Sequence, residues 1–434
     1  MHRSIKVQIV SRDIPVENTG GNATYILDFM HYLRQAGCEI EYILLNSLSN
    51  GREPWYILPP MLASLAKVSV KDNFQVGRVL IQFNLLPIWL TKLLLRQAYN
   101  LLLPKTLKDI YRSARDKRRQ ISDNVATPKA WDDLATPEEL AFVNSQVVRF
   151  QPNVVVVNYA WLSNVFDGFI SNESVLKVIL THDILHKRVA NFRKMGIAPD
   201  ISEWHFEKEA AQLCKAQVLL AIQKDEAETF RNMAPGSEVI CMPVSFVYHT
   251  HNTKQVHGRC LFVGSCSSHN VHSLQWFLES VWPIVLQTDP YCHLHVYGSV
   301  CDHIQGNFAN VHLRGGVEDL KPEYGAAQVC LVPLLMGSGL KIKLVEALSH
   351  GRACVSTSIG VQGLRDIVGS AVLVADTAEE FAAAIHTLLN NPEKRQWMEA
   401  QAYKYVKEKL SPKAVYQPFI DRVEQHLQQV SNRL

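Results

Sequence analysis

Val329-Cys-Leu-Val-Pro-Leu-Leu-Met336 runs directly into Gly337-Ser-Gly-Leu-Lys-Ile-Lys-Leu-Val-Glu346. The first four residues are apolar enough for a strand buried on both faces. The rest reads as a glycine turn that opens a helix at Leu340. Gly337 and Gly339 let backbone come close to a ligand, and the first turn of a helix offers unpaired N–H groups and a dipole that favours an anion. Lys343 adds a cation there, with Lys341 beside it. Glu346, one turn further on a similar face, cannot favour phosphate but can accept two ribose hydroxyl protons. Strand, turn, cation and acid together read as a grip for a diphosphonucleotide. The plainer alternative, a solvated helix with an i, i+3 Lys–Glu pair, leaves the Gly-Ser-Gly turn after an apolar strand without a reason.

Around this stretch the chain alternates strands and helices. Strands are predicted at 260–263, 293–297, 311–313, 353–356 and 371–374, and helices at 272–285, 378–389 and 392–408. The first half has the same grammar. Residues 5–10 form a strand, 25–35 a helix closed by Gly37, and 40–45 the next strand. Strands at 154–158, 176–180, 218–222 and 239–242 follow, with helices at 203–215 and 226–231. Repeated β–α–β order implies parallel sheets covered by helices. The polar run 249–258 reads as the linker between two such domains. In doubly wound domains ligands sit outside the carboxyl ends of the strands. Two features of the first half fall at such ends: Asn18-Thr-Gly-Gly-Asn22 and Thr181-His182-Asp183.

Residues 49–78 match no pattern. The tract 79–120 begins rich in Leu, Ile, Phe and Trp, with Lys92, Arg96 and Asn100 at helical spacing. It then carries Lys105, Lys108, Arg112, Arg115, Lys117, Arg118 and Arg119. A surface helix pair packed on the domain explains it. So does an interfacial patch on an anionic membrane, or a surface for a protein partner.

Composition excludes several classes. A net charge of +3 over 434 residues gives no basis for nucleic acid binding. Nine cysteines without a CxxC pair give no structural zinc site and suit a reducing compartment. The start, Met-His-Arg-Ser, leads straight into a strand and not into a signal peptide. No run of eighteen uncharged apolar residues offers a membrane span. A GxGxxG dinucleotide fingerprint is absent after Val10 and after Val263, against a tandem dehydrogenase.

The motifs resemble those of the GT-B-fold glycosyltransferases of family 4, the glycosyl transferases group 1. They are Leu261-Phe-Val-Gly-Ser265, Asn270, Trp276-Phe277, Trp282-Pro283, Val296-Tyr-Gly298, Leu313-Arg-Gly-Gly-Val317, Tyr324, Val332 to Gly339, Lys343, Glu346-Ala347 and Gly360-Val-Gln-Gly-Leu364. The resemblance covers nearly the whole chain and is strongest from Leu261 to Leu364. It implies an α/β fold of two Rossmann-like doubly wound domains facing a central cleft. Residues 1–250 would bind the acceptor and carry the helical, basic insertion at 79–120. Residues 254–411 would bind the nucleotide sugar, and 412–434 would pack back toward the first domain. The implied reaction is retaining, metal-independent transfer of a sugar from a nucleoside diphosphate donor to a saccharide or lipid-linked saccharide.

In that family the position of Glu346 holds the donor ribose and that of Lys343 faces the diphosphate. The amides near Gly337 to Leu340 hold phosphate or sugar. Gly20 and Gly21 would let their loop approach donor phosphate and acceptor, and Gly264 and Ser265 would line the donor. His182 would contact the transferred sugar near the reacting carbon, so His182 and Lys343 are the catalytic candidates. Ser338 stands where many relatives have a glutamate, and the segment after the first strand of the donor domain lacks their Arg and Lys. Neither metal nor bound cofactor is expected, the nucleotide sugar being a co-substrate. Expected partners are that donor, a glycan, glycolipid or other hydroxyl acceptor, and an anionic membrane surface, in the cytoplasm or on the inner face of the membrane. The alternatives are a non-catalytic nucleotide-sugar-binding partner protein and a nucleotide-sugar epimerase of the same fold.

Overall fold

The computed structural model describes residues 4–17, 21–45, 54–71, 73–82, 86–87, 89–91, 93–94, 131–169, 173–194, 199, 201–251, 253–336 and 340–433. The chain forms two compact units. Unit 1 comprises Met1–Ala221, Glu226–Ile240 and Phe419–Leu434; unit 2 comprises Ile222–Asp225 and Cys241–Pro418.

Among the described residues ten strands precede Arg259: β1 Lys6–Ser11, β2 Glu39–Leu44, β3 Trp55–Ile57, β4 Lys67–Val70, β5 Phe74–Val76, β6 Val79–Ile81, β7 Val154–Asn158, β8 Leu176–Leu180, β9 Val218–Ala221 and β10 Glu238–Cys241. Seven of them form one sheet in the order β10-β9-β8-β7-β1-β2-β4. Its centre is parallel, with Ile9 opposite both Tyr42 and Val156. The middle strands read as continuous apolar runs because both faces are covered, and every residue of β7 and β8 is buried. Glu41 in β2 interrupts such a run. It is buried yet accepts from Gln8 Nε2 (2.7 Å) and Ser69 Oγ (2.8 Å) and pairs with Arg149, so its charge is compensated.

The tract at 79–120 begins differently from the helix read in the sequence. Val79–Ile81 is a strand, paired antiparallel with β3 on one side and β5 on the other. The alternation of β-branched residues there fits a strand better than a helix. Trp55, Phe74 and Ile81 align in one row and Ile57, Val76 and Val79 in the next, so six apolar side chains share one face of this small sheet. Trp55, Ile57, Phe74, Val76 and Val79 are exposed. The Trp89 ring packs edge-on to Trp55 at 4.9 Å. Most of the basic part of the tract, 95–120, lies outside the described residues.

Unit 2 is built on β11 Arg259–Val263, β12 His293–Tyr297, β13 Val311–Gly315, β14 Val329–Val332, β15 Cys354–Ser356 and β16 Val372–Val374. The order β13-β12-β11-β14-β15-β16 is parallel throughout. The helix expected over 272–285 is two helices, Ser268–Trp276 and Trp282–Thr288, joined by a wider turn at Phe277–Val281. Pro283 has no N–H to donate to the preceding turn, which loosens the ladder there. The polar run 249–258 lies within unit 2. His249 stacks on His350 at 4.5 Å and His251 Nε2 lies 3.2 Å from His350 Nδ1, so polarity there reflects packing of imidazoles and not a linker.

Phe277, fully buried, meets Phe381 edge-on at 5.6 Å and Trp282 at 6.1 Å in the core beneath this sheet. Phe277→Ala is expected to lower the unfolding free energy of unit 2 by about 3–5 kcal/mol in urea titration. A loss below about 1 kcal/mol would show that this core is not what holds the sheet.

Candidate active site

The strand order of unit 2 reverses between β11 and β14, which is where an open parallel sheet leaves a crevice for ligand. Gly264 leaves β11 with its N–H bonded to Tyr297 O (3.0 Å), and its own carbonyl accepts from Val300 N–H (3.2 Å). Gly298 follows β12 at φ +98°, and a Cβ there would stand 2.2 Å from Gly264 O. The two backbones can approach only because position 298 has no side chain. At the other lip, the exit from β14 is pinned by Leu335 N–H to Ser273 Oγ (3.0 Å) and by the Thr357 hydroxyl donating to Leu334 O.

The helix after the glycine turn spans Ile342–Ser349, with Lys341 at its N-cap in extended conformation. It therefore starts two residues later than the sequence suggests, and Lys343 falls in its first turn. Lys343 Nζ donates to Asn270 Oδ1 and lies 5.0 Å over the Phe262 ring. Asn270 is itself buried, and its Nδ2 donates to Ser265 O and Ser265 Oγ, both at 3.1 Å. One amide thus ties Lys343 to the loop that carries Gly264 and Ser265. Burial, with repulsion from Lys341, lowers the Lys343 pKa to about 8, and burial alone lowers Lys341 to about 8. Both lysines depress His269 further, after its burial. Two desolvated ammonium groups at the start of a helix make a strongly anion-seeking spot.

Glu346 is held separately. Burial raises its pKa, against the Tyr324 hydroxyl, which donates to it. Tyr324 is buried and stacks flat on His350 at 4.3 Å with the rings 5° from parallel. His350 is pushed to about 3 by burial and by His249, His251 and Arg352, so it is a neutral ring and a fixed platform. Asn270 and Tyr324 stood among the sequence motifs without a role, and His350 carried no sequence signal.

In unit 1, His182 follows β8 at φ +61°, a left-handed conformation that costs a non-glycine residue about 1–3 kcal/mol and concentrates at functional positions. It is buried against Tyr159, stacked at 4.2 Å, and Tyr25, edge-on at 5.6 Å. Its Nε2 lies 2.6 Å from Asn158 Oδ1, an acceptor since Asn158 Nδ2 donates to Ser11 Oγ (3.0 Å). Nε2 therefore carries the proton, and the buried Nδ1 has no hydrogen-bond partner. Burial lowers the pKa to about 3, so the ring is neutral at working pH. Asp183 pairs with Arg188 at 2.6 Å.

The structure brings Gly264, Ser265, Lys341, Lys343 and Glu346 into one region of unit 2. Leu340 immediately precedes them, and Gly337, Ser338 and Gly339 lie outside the described residues. Gly21 opens the helix Gly21–Gln35 of unit 1, and Gly20 lies outside the described residues.

Comparison with known proteins bears on both units. Residues 257–391 match the family described as glycosyl transferases group 1. A protein of Klebsiella pneumoniae, described as an uncharacterized 44.6 kDa protein in the cps region, is 26% identical over 213 residues, 46% of this chain and 54% of that protein. The match therefore spans about half the length of that curated relative. Among solved structures, sucrose-phosphate synthase from Thermosynechococcus elongatus aligns over 97% of this chain and 98% of its own, with TM-score 0.60 and 14% identity. Anabaena HepE in complex with UDP aligns over 97% and 100%, with TM-score 0.59 and 11% identity. Residues 257–391 thus match a glycosyl transferases group 1 domain, and the chain as a whole has a GT-B fold.

Proposed function

We propose that the protein transfers a sugar, with retention of anomeric configuration and without a metal, from a nucleoside diphosphate sugar to a hydroxyl of a saccharide or lipid-linked saccharide, in the assembly of a polysaccharide. The observation that carries this is the division of labour on one helix: Lys343 braced by neutral Asn270 toward an anion, and Glu346 braced by Tyr324 toward hydroxyls. That HepE is solved with UDP and with UDP-glucose makes a UDP-sugar the first donor to test.

Glycosyl transfer needs support for a departing diphosphate and a positioned acceptor. Lys343 and the first turn of its helix supply the first. In front-face attack the departing phosphate oxygen takes the acceptor proton, so no side-chain nucleophile is required. His182 then serves as a neutral polar contact to the transferred sugar, offering the Nδ1 lone pair. Its low pKa disfavours the acid–base work that an epimerase would ask of it.

An anionic bilayer is the proposed place of the acceptor. The six-residue apolar face on β3, β6 and β5, with its paired tryptophans, is suited to the interfacial zone, and the cations at 105–119 follow it in sequence. Among the described residues no helix is long and apolar enough to cross a membrane.

Lys343→Ala should weaken UDP-sugar binding by about a hundredfold and Glu346→Ala by about tenfold in calorimetric titration. His182→Ala should lower turnover by more than it lowers donor affinity. Wild-type affinity in both donor-site variants would sink the assignment.

Because both lysines titrate near pH 8 and the diphosphate requires them charged, donor affinity should be flat at lower pH. It should then fall as pH rises through 8, by up to about tenfold per unit for each lysine engaged. A profile from about pH 6 to about pH 9 that stays flat would contradict the buried-ammonium grip.

The protein should sediment with vesicles containing anionic lipid at low salt, and Trp55→Ser with Phe74→Ser should reduce that fraction severalfold. Wild-type protein left in the supernatant would exclude the bilayer.

A further inference from the structure

At the end of the unit 1 sheet opposite to His182, the starts of β8, β9 and β10 meet the second half of the helix Pro412–Arg433. A cavity of about 450 Å³ opens there. That volume lies in the range of about 300–1,000 Å³ usual for small-molecule sites. Its walls carry Lys177, Lys215, Arg422, Arg433 and His426, against one carboxylate, Glu173.

Acids in and beyond the wall pair with three of these cations. Glu173 pairs with Arg433 at 2.8 Å, where both side chains are largely exposed. Asp167 pairs with Lys215 at 2.7 Å. Glu238 accepts from Arg422 Nε at 2.6 Å, but Arg422 Nη1 is buried and has no acceptor. Lys177 and His426 are only 8% and 6% exposed. Burial lowers the pKa of both. Glu173 opposes the shift at Lys177, whereas Arg422 and Arg433 add to it at His426, whose Nε2 reaches only Ser174 O at 3.4 Å. An oxyanion seated in the cavity would make charge-assisted bonds with the basic groups of its wall.

We propose that this cavity is a second ligand site, which binds a small polyanion of the phosphate-ester class. A planar guanidinium flanked by an ammonium group and an imidazole presents donors from several directions, as a tetrahedral oxyanion requires and a flat carboxylate does not. The cavity is roomier than one inorganic phosphate needs, so a phosphorylated metabolite or a diphosphate fits it better. Binding would favour the charged form of His426, and so would draw in protons. The site lies in unit 1, whereas the donor grip lies in unit 2, so neither assignment rests on the other.

The test uses the two-unit protein carrying Lys343→Ala, which silences the donor grip, titrated calorimetrically with inorganic pyrophosphate at constant ionic strength. One saturable site is expected, with a heat that varies with the ionisation enthalpy of the buffer. Adding Arg422→Gln should weaken it about tenfold or more. Arg433→Gln, an exposed change that leaves the fold intact, should weaken it severalfold and decides the matter if the Arg422 variant does not fold. Absence of saturable binding, or unchanged affinity in the folded variants, overturns the proposal. Succinate binding as tightly as pyrophosphate overturns the phosphate assignment.

Discussion

A buried ammonium group without a matching carboxylate governs unit 2. Among the described residues Lys343 has an amide oxygen and an aromatic face for company, and the charge of Lys341 acts against its own. Burying a charge in this way is costly, and proteins usually avoid it by pairing. In the proposed function the pairing is deferred to a ligand. Asn270 must be held by the Ser265 loop, that loop by the approach of Gly264 to Gly298, and the exit of β14 by Ser273 and Thr357. Each of these contacts exists to keep an unfavourable charge in place.

The acid on the same helix is arranged in the opposite sense. Glu346 has a donor, Tyr324, and that donor has a rigid backing in His350 and the two imidazoles around it. A carboxylate with a fixed hydrogen bond presents its remaining lone pairs in fixed directions, which is what a diol such as ribose rewards. The cationic and acidic halves of the grip are therefore braced independently.

Much of this was legible in the sequence, for physical reasons. Strands buried on both faces are continuous apolar runs, and glycines at their ends mark close backbone approach; β7, β8, β12 and β14 lie where the pattern places them. Lys343 and Glu346 could be read because three residues is nearly one helical turn. What could not be read depends on contacts distant in sequence. His249 and His251 look like linker residues until His350 is known to lie beside them. Val79–Ile81 looks like part of a helical tract until β3 and β5 supply hydrogen-bonding partners. Nothing local announces that Tyr324 points at Glu346, or that Arg422, 245 residues after Lys177 in the sequence, shares a cavity with it.

The chain's passage back into unit 1 at Phe419, within the helix Pro412–Arg433, bears on how the protein is made. Phe419 packs edge-on to Phe29 at 5.1 Å, and Ile420 and Val423 are buried with it. During synthesis unit 1 emerges first but lacks these side chains until Phe419–Leu434 have followed, whereas unit 2 is complete at Pro418, one residue before Phe419. The order of emergence is thus the reverse of the order of completion. A ribosome-bound intermediate would show a finished unit 2 beside a first unit with Phe29 still uncovered, a surface for chaperones rather than for substrate.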